Sequence, residues 1–463
     1  MKSMKILSIS LVLLLGISMM AYASGNQPSA ASGPVTTFTV WSNDAHNKAE
    51  FDDLVAKFNA GVGAQKGIKV EYTVYGADWQ TAMALAVETD RMPDMMKTFN
   101  NYDTYVDAGK FLAWNEIPGT EQILKNQQPY HRNQSSLFNG VPYSVIMYGW
   151  FSGLHYSKAL LQRAGYSTPP KTWAEFEEAA IKISKLDPGK IYGYAMPLVW
   201  TPDFTTWLGE YMATSSIGHM FWNYTEGKFQ FVDFTPYYEM LSRIRDAGAM
   251  FPGMETLSDD QQRAQFAAGN IGFIGGAGWN VGVLYEQFPF NPLDGWDYTP
   301  LPVQNLNNTF AVPVSAGASY VVNAKVKADK DKLAKMGEVI NLFCGDETQM
   351  VMFTNGKHVP LRPDIAAKAQ PAKQFQYSNY GKSAPRQVTI PSGPISRLTV
   401  EGADRAAIIG QILTGQIPIS GIRAALTDLD RRYNAAFDQA VQRGQIKRAD
   451  YIDPTFETRL RAR

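Results

Sequence analysis

Three acids of this chain sit among aromatic residues: Asp44, just after Trp41 and Asn43, and Asp203 and Glu210, on either side of Trp207. Two carboxylates about 5 Å apart would cleave a glycosidic bond with retention, but nothing in the spacing of these three demands such a pair. His46, His131, His155, His219, His358 and Cys344 are scattered, with no H-x-x-x-H or C-x-x-C spacing, which argues against metal capture. The run Gly275-Gly276-Ala277-Gly278 lacks a following Lys-Ser or Lys-Thr, so it is no phosphate loop. No catalytic residue, metal or cofactor is therefore expected, and recognition without chemistry remains. Trp41, Asn43 and Asp44 end the first expected strand, where Asp44 either meets a ligand or caps the next helix. Trp79 follows the second strand, as core or as the wall of a cleft. Trp200 and Trp207 flank a helix start at Thr201-Pro202-Asp203. Trp279 closes the glycine run, and Gly278 beside it bares the backbone for close approach.

The elements that must hold these residues begin after a leader. Lys2 and Lys5 precede an apolar run, Ile6 to Met20, and Ala21-Tyr22-Ala23 follows, the pattern of a cleavable secretory signal over residues 1–23. The run is broken by Ser8, Ser10, Gly16 and Ser18 and is short for a membrane span. No Cys follows it, so no lipid anchor is expected and the bacterial periplasm is the expected compartment. Residues 24–34 read as a flexible polar tether.

Loss of the leader takes the balance from 43 basic and 43 acidic residues to an excess of two acids. Near neutrality argues against nucleic acid and against a polybasic membrane surface. Cys344, the one cysteine, reads as a small buried hydrophobe. With 10 Trp, 23 Tyr and 24 Phe, an exported chain becomes a candidate for stacking on sugar rings, whose hydroxyls are read by Asp, Asn, Arg and Gln.

Order is expected to begin with a strand at 36–41, then a helix at about 46–60 with Phe51, Leu54, Val55 and Phe58 on one face. A strand at 68–74, a helix near 78–89, a strand around 95–99 and a helix near 101–109 complete a β-α-β-α-β-α run. Beyond Pro142 the pattern restarts. Thr172 and Glu175 predict a capping box, and helices are expected at 202–220, 235–249 and 262–268. A strand is expected at 271–274, another at 318–323, helices at 329–343 and 346–354, and a helical tail from about 401 to 443. Two α/β units in series predict two lobes with a cleft at the carboxyl ends of the strands.

Several blocks resemble the extracellular sugar-binding proteins of ABC importers, the family that includes maltose-binding protein. They are Val40-Trp41-Ser42-Asn43-Asp44, Met92-Pro93-Asp94-Met95-Met96 and Phe138-Asn139-Gly140-Val141-Pro142-Tyr143. Next come Leu154-His155-Tyr156-Ser157-Lys158 with Pro169-Pro170-Lys171-Thr172-Trp173, then Phe266–Phe273, and Gly402 to Leu426. The resemblance implies an α/β, two-lobed periplasmic-binding-protein fold, each lobe a mainly parallel sheet flanked by helices. Three crossings are implied, near 142–147, 311–316 and 356–362. Residues 35–142 and 316–357 would form the first lobe, and 147–311 and 362–463 the second. Phe99, Asn100, Asn101 and Tyr102 match where relatives touch ligand. Tyr148 and Trp150 follow the first crossing, Ser319 the second and Arg362 the third. Gly402 and Ala403 stand where some relatives carry a stacking aromatic. The implied protein is a monomer that captures a sugar or oligosaccharide and hands it to ABC permease subunits. An exported carbohydrate-active enzyme, or a binder of a polyol or glycerol phosphodiester, is the alternative.

Overall fold

The computed structural model describes residues 33–76, 78–149, 152–198, 202–288, 295–311, 313–314, 319–372, 388–389 and 393–461, with backbone only at 202–209, 279, 286, 313–314, 388–389 and 458–460. The leader and most of the tether lie outside the described residues. Nine strands build two main sheets: β1 (Thr36–Ser42), β2 (Ile68–Val74), β3 (Met95–Lys97), β4 (Phe111–Leu112), β5 (Gly153–Ser157), β6 (Tyr192–Ala195), β7 (Ile271–Gly276), β8 (Trp296–Pro300) and β9 (Tyr320–Asn323). The helices that matter below are α1 (Lys48–Ala60), α2 (Trp79–Glu88), α3 (Tyr102–Asp107), α4 (Trp173–Ser184), α5 (Pro202–Ile217), α6 (Asp259–Ala267), α7 (Gly278–Gln287), α8 (Lys330–Cys344), α9 (Arg405–Thr414) and α10 (Ile419–Gln442).

The first sheet has the order β2-β1-β3-β9-β4. β1 runs parallel to β2, from Thr36 opposite Ile68 to Ser42 opposite Val74, and parallel to β3. β9 returns from far along the chain and pairs antiparallel with both β3 and β4. The second sheet has the order β8-β5-β7-β6, and only the β7–β6 pair is parallel. Both sheets are thus mixed rather than mainly parallel. Helical crossovers favour parallel neighbours, but β9 enters the first sheet from the opposite direction, and β5 lies between two strands that both run against it.

Local sequence explains the helices. α1 buries Phe51, Leu54 and Val55, with Phe58 half-buried, as the 3.6-residue period requires. Phe51 stacks on Phe343 of α8 at 5.4 Å, and burying such a ring stabilises by about 1.5–3 kcal/mol. The capping box at α4 forms: Thr172 Oγ1 accepts from the Glu175 amide, and the Glu175 carboxylate accepts from the Thr172 amide. Behind it Phe176, Ala179, Ala180 and Ile183 turn inward. A Cβ on Gly193 of β6 would stand 2.1 Å from the Ala180 carbonyl oxygen, so only glycine lets α4 lie this close to the sheet.

One core joins Phe38, Val40, Ile68, Trp114, Tyr320 and Phe343 on the first sheet, with Met96, Phe99, Val106 and Phe111 in a companion cluster. A second core joins Leu154, Phe176, Tyr194 and Phe273 to Ile412, Leu426 and Phe437 of α9 and α10. The tail that follows residue 401 therefore packs with the second sheet. Cys344 is fully buried, and burial pushes its thiol up to about 12. Among the described residues no helix is long and apolar enough to cross a membrane.

Candidate functional site

β1 and β3 are parallel neighbours, so their carboxyl ends share an edge of the sheet, and the start of the antiparallel β9 lies there too. That edge gathers Asp44, Lys97 and Ser319. Lys97 Nζ donates to Asp44 Oδ2 at 3.2 Å and to the Tyr148 hydroxyl at 3.1 Å. It also lies 5.2 Å from the centroid of the Tyr320 ring. Burial acts against the Lys97 charge, but Asp44 and Tyr148 outweigh it and raise its pKa. Burial likewise works against the Asp44 carboxylate, and Lys97 brings the net shift below the ordinary value. Tyr148 is pushed up to about 12 by burial, against the opposing pull of Lys97.

Tyr148 stacks on His358 with ring centroids 3.8 Å apart and planes within 2°. Asn47 Nδ2 sits 2.7 Å from His358 Nε2. An amide nitrogen can only donate, so that ring nitrogen accepts and the ring is neutral. Burial agrees, holding the His358 pKa well below the ordinary histidine value. Tyr148 and Gly149 pair antiparallel with Val359 and Pro360, so two segments passing between the cores are zipped together here.

A second polar cluster lies below the end of β7. Arg263 of α6 donates through Nε to Asn280 Oδ1 at 2.8 Å, through Nη1 to Asp260 Oδ1 at 2.7 Å, and through Nη2 to Asp259. Burial raises the Asp259 pKa, with Arg263 opposing. His155 is fully buried beside Trp296 and Tyr298, and burial lowers its pKa to about 3. A Cβ on Gly276 would meet Asn280 Nδ2 at 2.2 Å and the His155 ring at 2.7 Å. Gly276 is therefore needed for packing beneath the start of α7.

Two cavities lie on the described surface, the smaller of them bordering the second cluster. The larger, about 850 Å³, lies between residues 99–103 with Gln134 on one side and residues 393–406 with Tyr433 on the other. The smaller, about 470 Å³, is lined by His46, Arg263, Gln287 and Lys357 among others. Volumes of this order suit small ligands. The larger combines aromatic surface from Phe99, Tyr102 and Tyr433 with the polar groups of Asn100, Asn101, Asp404 and Arg405.

Of the residues singled out by sequence, Phe99, Asn100, Asn101 and Tyr102 come together in that cavity. Asn101 holds φ 59°, a left-handed conformation that asparagine tolerates. The Tyr102 hydroxyl donates to the Ser135 carbonyl. Trp41 is half-buried against Tyr75 at 5.0 Å, and it shares the rim of one core cluster with Trp79. Asn43 is half-buried, and its Oδ1 has no hydrogen-bond partner among the described residues. Asp44 makes no side-chain cap bond; it is buried on Lys97. Tyr148 is buried on Lys97 and His358. Ser319 is buried, its amide donating to the Val145 carbonyl and its own carbonyl accepting from Thr98. Arg362 is buried and clamped by Asp346 and Asp364, away from either cavity lining. Gly278 opens α7. Trp207 and Trp279 lie in α5 and α7 with backbone alone described, and Trp150 and Trp200 lie outside the described residues.

Sequence reasoning missed Lys97, Arg405 and Tyr433. Lys97 had a signal: a cation in a short strand otherwise made of methionines must be paired. Arg405 and Tyr433 lie on the closing helices, where the Arg405 amide donates to the Tyr433 hydroxyl at 2.9 Å and its guanidinium lies 3.9 Å from buried Glu210. Asp44 and Glu210, two of the carboxylates weighed for hydrolysis, thus each face a cation of their own. Among the described residues no cluster of His, Cys, Asp and Glu is placed to hold a metal.

Two mixed α/β bodies with polar cavities between their elements define a class of protein that binds small solutes. The chain belongs to the bacterial extracellular solute-binding proteins, whose family model matches residues 44–336. No curated protein matches it by sequence. The fold is similar to that of a chitin oligosaccharide binding protein, with TM-score 0.67 at 16% identity over 87% of this chain and 100% of that one. It is similar also to the GacH receptor of Streptomyces glaucescens, with TM-score 0.68 at 16% identity over 87% and 99%. The sugar-binding protein MalE from Xanthomonas citri gives TM-score 0.63 at 18% identity over 89% and 100%.

Proposed function

We propose that this protein captures a sugar or oligosaccharide between two hinged lobes and delivers it to the permease of an ABC importer, without chemistry of its own. The observation that carries the reading is the 850 Å³ cavity. Tyr102 offers a half-buried ring at its wall, and Phe99 and Tyr433, only 5% and 4% exposed, back the wall from the two cores. Asn100, Asn101, Asp404 and Arg405 offer paired hydrogen-bond positions for hydroxyls. A buried hydroxyl left unmatched costs about 1–3 kcal/mol, which gives such a site selectivity. Similar structures agree in kind: one is a chitin oligosaccharide binding protein, another was solved in complex with acarbose and another with cycloalternan.

In this reading residues 35–142 and 316–357 form one lobe and 147–311 and 362–463 the other. Trp41, Asn43 and Trp79 flank the ligand, and Trp207 and Trp279 supply further stacking surface on the sequence grounds given above. The leader at 1–23 directs the protein to the periplasm, where it works as a monomer. Ligand favours the closed arrangement only by its preference for that form. An affinity near ~1 µM, about 8 kcal/mol, suits capture followed by release.

The test is a thermal-shift panel of malto-, chito-, xylo- and cello-oligosaccharides and their monomers, followed by calorimetry and a reducing-end assay on each hit. A rise in midpoint with stoichiometric binding and no new reducing ends is expected. New reducing ends, or a polyol or glycerol phosphodiester raising the midpoint while every sugar leaves it unmoved, would overturn the reading.

A further inference from the structure

A charge contact joins the two bodies at the wall of the larger cavity. Arg397 ends the short helical turn Pro394–Arg397, whose neighbours Ile395, Leu398 and Val400 pack against the second core. Its guanidinium reaches across to α3, whose Val106 packs into the cluster behind the first sheet. Arg397 Nε donates to Asp103 Oδ2 at 2.8 Å, and Nη1 donates to Asp107. The Ser396 hydroxyl lies 3.4 Å from the same Asp103 oxygen. Close by, the buried Tyr451 hydroxyl, again from the second core, lies 3.5 Å from Gln134 Oε1.

The Asp103 contact is sheltered, while the Asp107 side chain is 49% exposed. Both Arg397 and Asp103 side chains are only 12% exposed. An ion pair at that depth is screened far less than a surface pair. Arg397 Nη2 is buried and has no hydrogen-bond partner among the described residues. The guanidinium therefore depends on its two carboxylates for compensation. Asp103 and Ser396 also line the cavity, so the pair and the ligand space share a wall.

We propose that Arg397 with Asp103 and Asp107 is a latch between the bodies: it holds them together in the absence of ligand and so sets the fraction of molecules already closed. This rests on the two-lobe part of the functional reading, not on the ligand's being a sugar. A ligand that needs the closed form binds with its intrinsic affinity multiplied by the fraction already closed. Removing Arg397, which is not among the residues lining the cavity, changes that fraction while the lining Asp103 stays in place.

The test uses the full mature chain with no ligand, by small-angle scattering. At about 0.05 M salt the wild-type radius of gyration should be the smaller value, and it should stay near that value at about 1 M salt, since the sheltered Arg397–Asp103 pair is screened far less than a surface pair. Arg397→Gln should show the larger radius at both salts, and Arg397→Lys should return it toward wild type at low salt. Circular dichroism of each variant checks that it is folded. Should Arg397→Gln not fold, the double variant Asp103→Asn with Asp107→Asn makes the same prediction. A radius at low salt equal to wild type in folded Arg397→Gln, or in the folded double variant, overturns the latch. Because no ligand is present, failure of every sugar to bind would leave this result untouched.

Discussion

The two buried polar clusters, one at the end of the first sheet and one below β7, solve the same problem differently. In the first, Lys97 and Asp44 are both enclosed, with side-chain exposures of 11% and 5%. In the second, Arg263 at 9% lies between Asp259 at 10% and Asp260, whose side chain is 87% exposed. Both clusters hold a buried cation. Only the second has a route for its charge to reach water. The cost of losing a partner depends on where the remaining charge can go, more than on how short the ion pair is.

Lys97→Met should therefore have the largest effect. It strands Asp44 without a counter-charge in the core, and removal of one partner from such a pair costs about 3–5 kcal/mol. Urea unfolding of the mature chain would measure it. A loss below that of the second-cluster variant would break the comparison. Arg263→Ala should cost less, about 1.5–3 kcal/mol, the range for hydrogen bonds to charged groups, since Asp260 already faces solvent.

The histidines sharpen the contrast through pH. Burial lowers His155 to about 3 and His131 to about 4, and holds His358 well below the ordinary value. A depressed folded pKa means that the unfolded chain binds more protons. The stability from each neutral ring is thus complete above about pH 6.5 and declines as pH falls toward the folded value, by about 1.4 kcal/mol per pH unit. Unfolding free energy should be level above about pH 7 and fall steeply from about pH 6 to 4. His155→Gln should lower that slope by about 1.4 kcal/mol per unit. The smallest effect belongs to Ser258, which caps α6 through its capping box with Gln261. Ser258→Ala should cost about 1 kcal/mol, a shift readable in the thermal midpoint.

Much of the fold was legible because it is local. The stripe of α1, the Thr172 capping box, the strand at β7 and the helical tail all follow from periodicity and turn chemistry within a few residues. Strand direction was less legible, since it depends on which distant segment arrives beside which. β9 joins β3 across more than 200 residues of chain, and no short pattern around Tyr320 announces it. The candidate site divides in the same way. The 99–102 turn lies where a strand ends, and it lines the larger cavity. Asp44, a candidate for ligand contact or a helix cap, and Tyr148, a candidate for ligand contact, have an environment set by Lys97 and His358, which arrive from elsewhere in the chain. The opposing wall at 393–406 carries no stacking aromatic in its own sequence; Tyr433 is brought to it by the packing of α9 against α10.

The stacking of Tyr148 on His358, with Tyr148-Gly149 laddered to Val359-Pro360, has a mechanical meaning. Two single strands could each swivel about their own bonds and let the bodies tumble in many directions. Riveted side by side and anchored through Lys97 to the first sheet, they must bend as one ribbon. In the hinged reading proposed above, a ribbon that flexes across its face and resists shear in its plane would narrow the rocking of one body on the other toward a single arc.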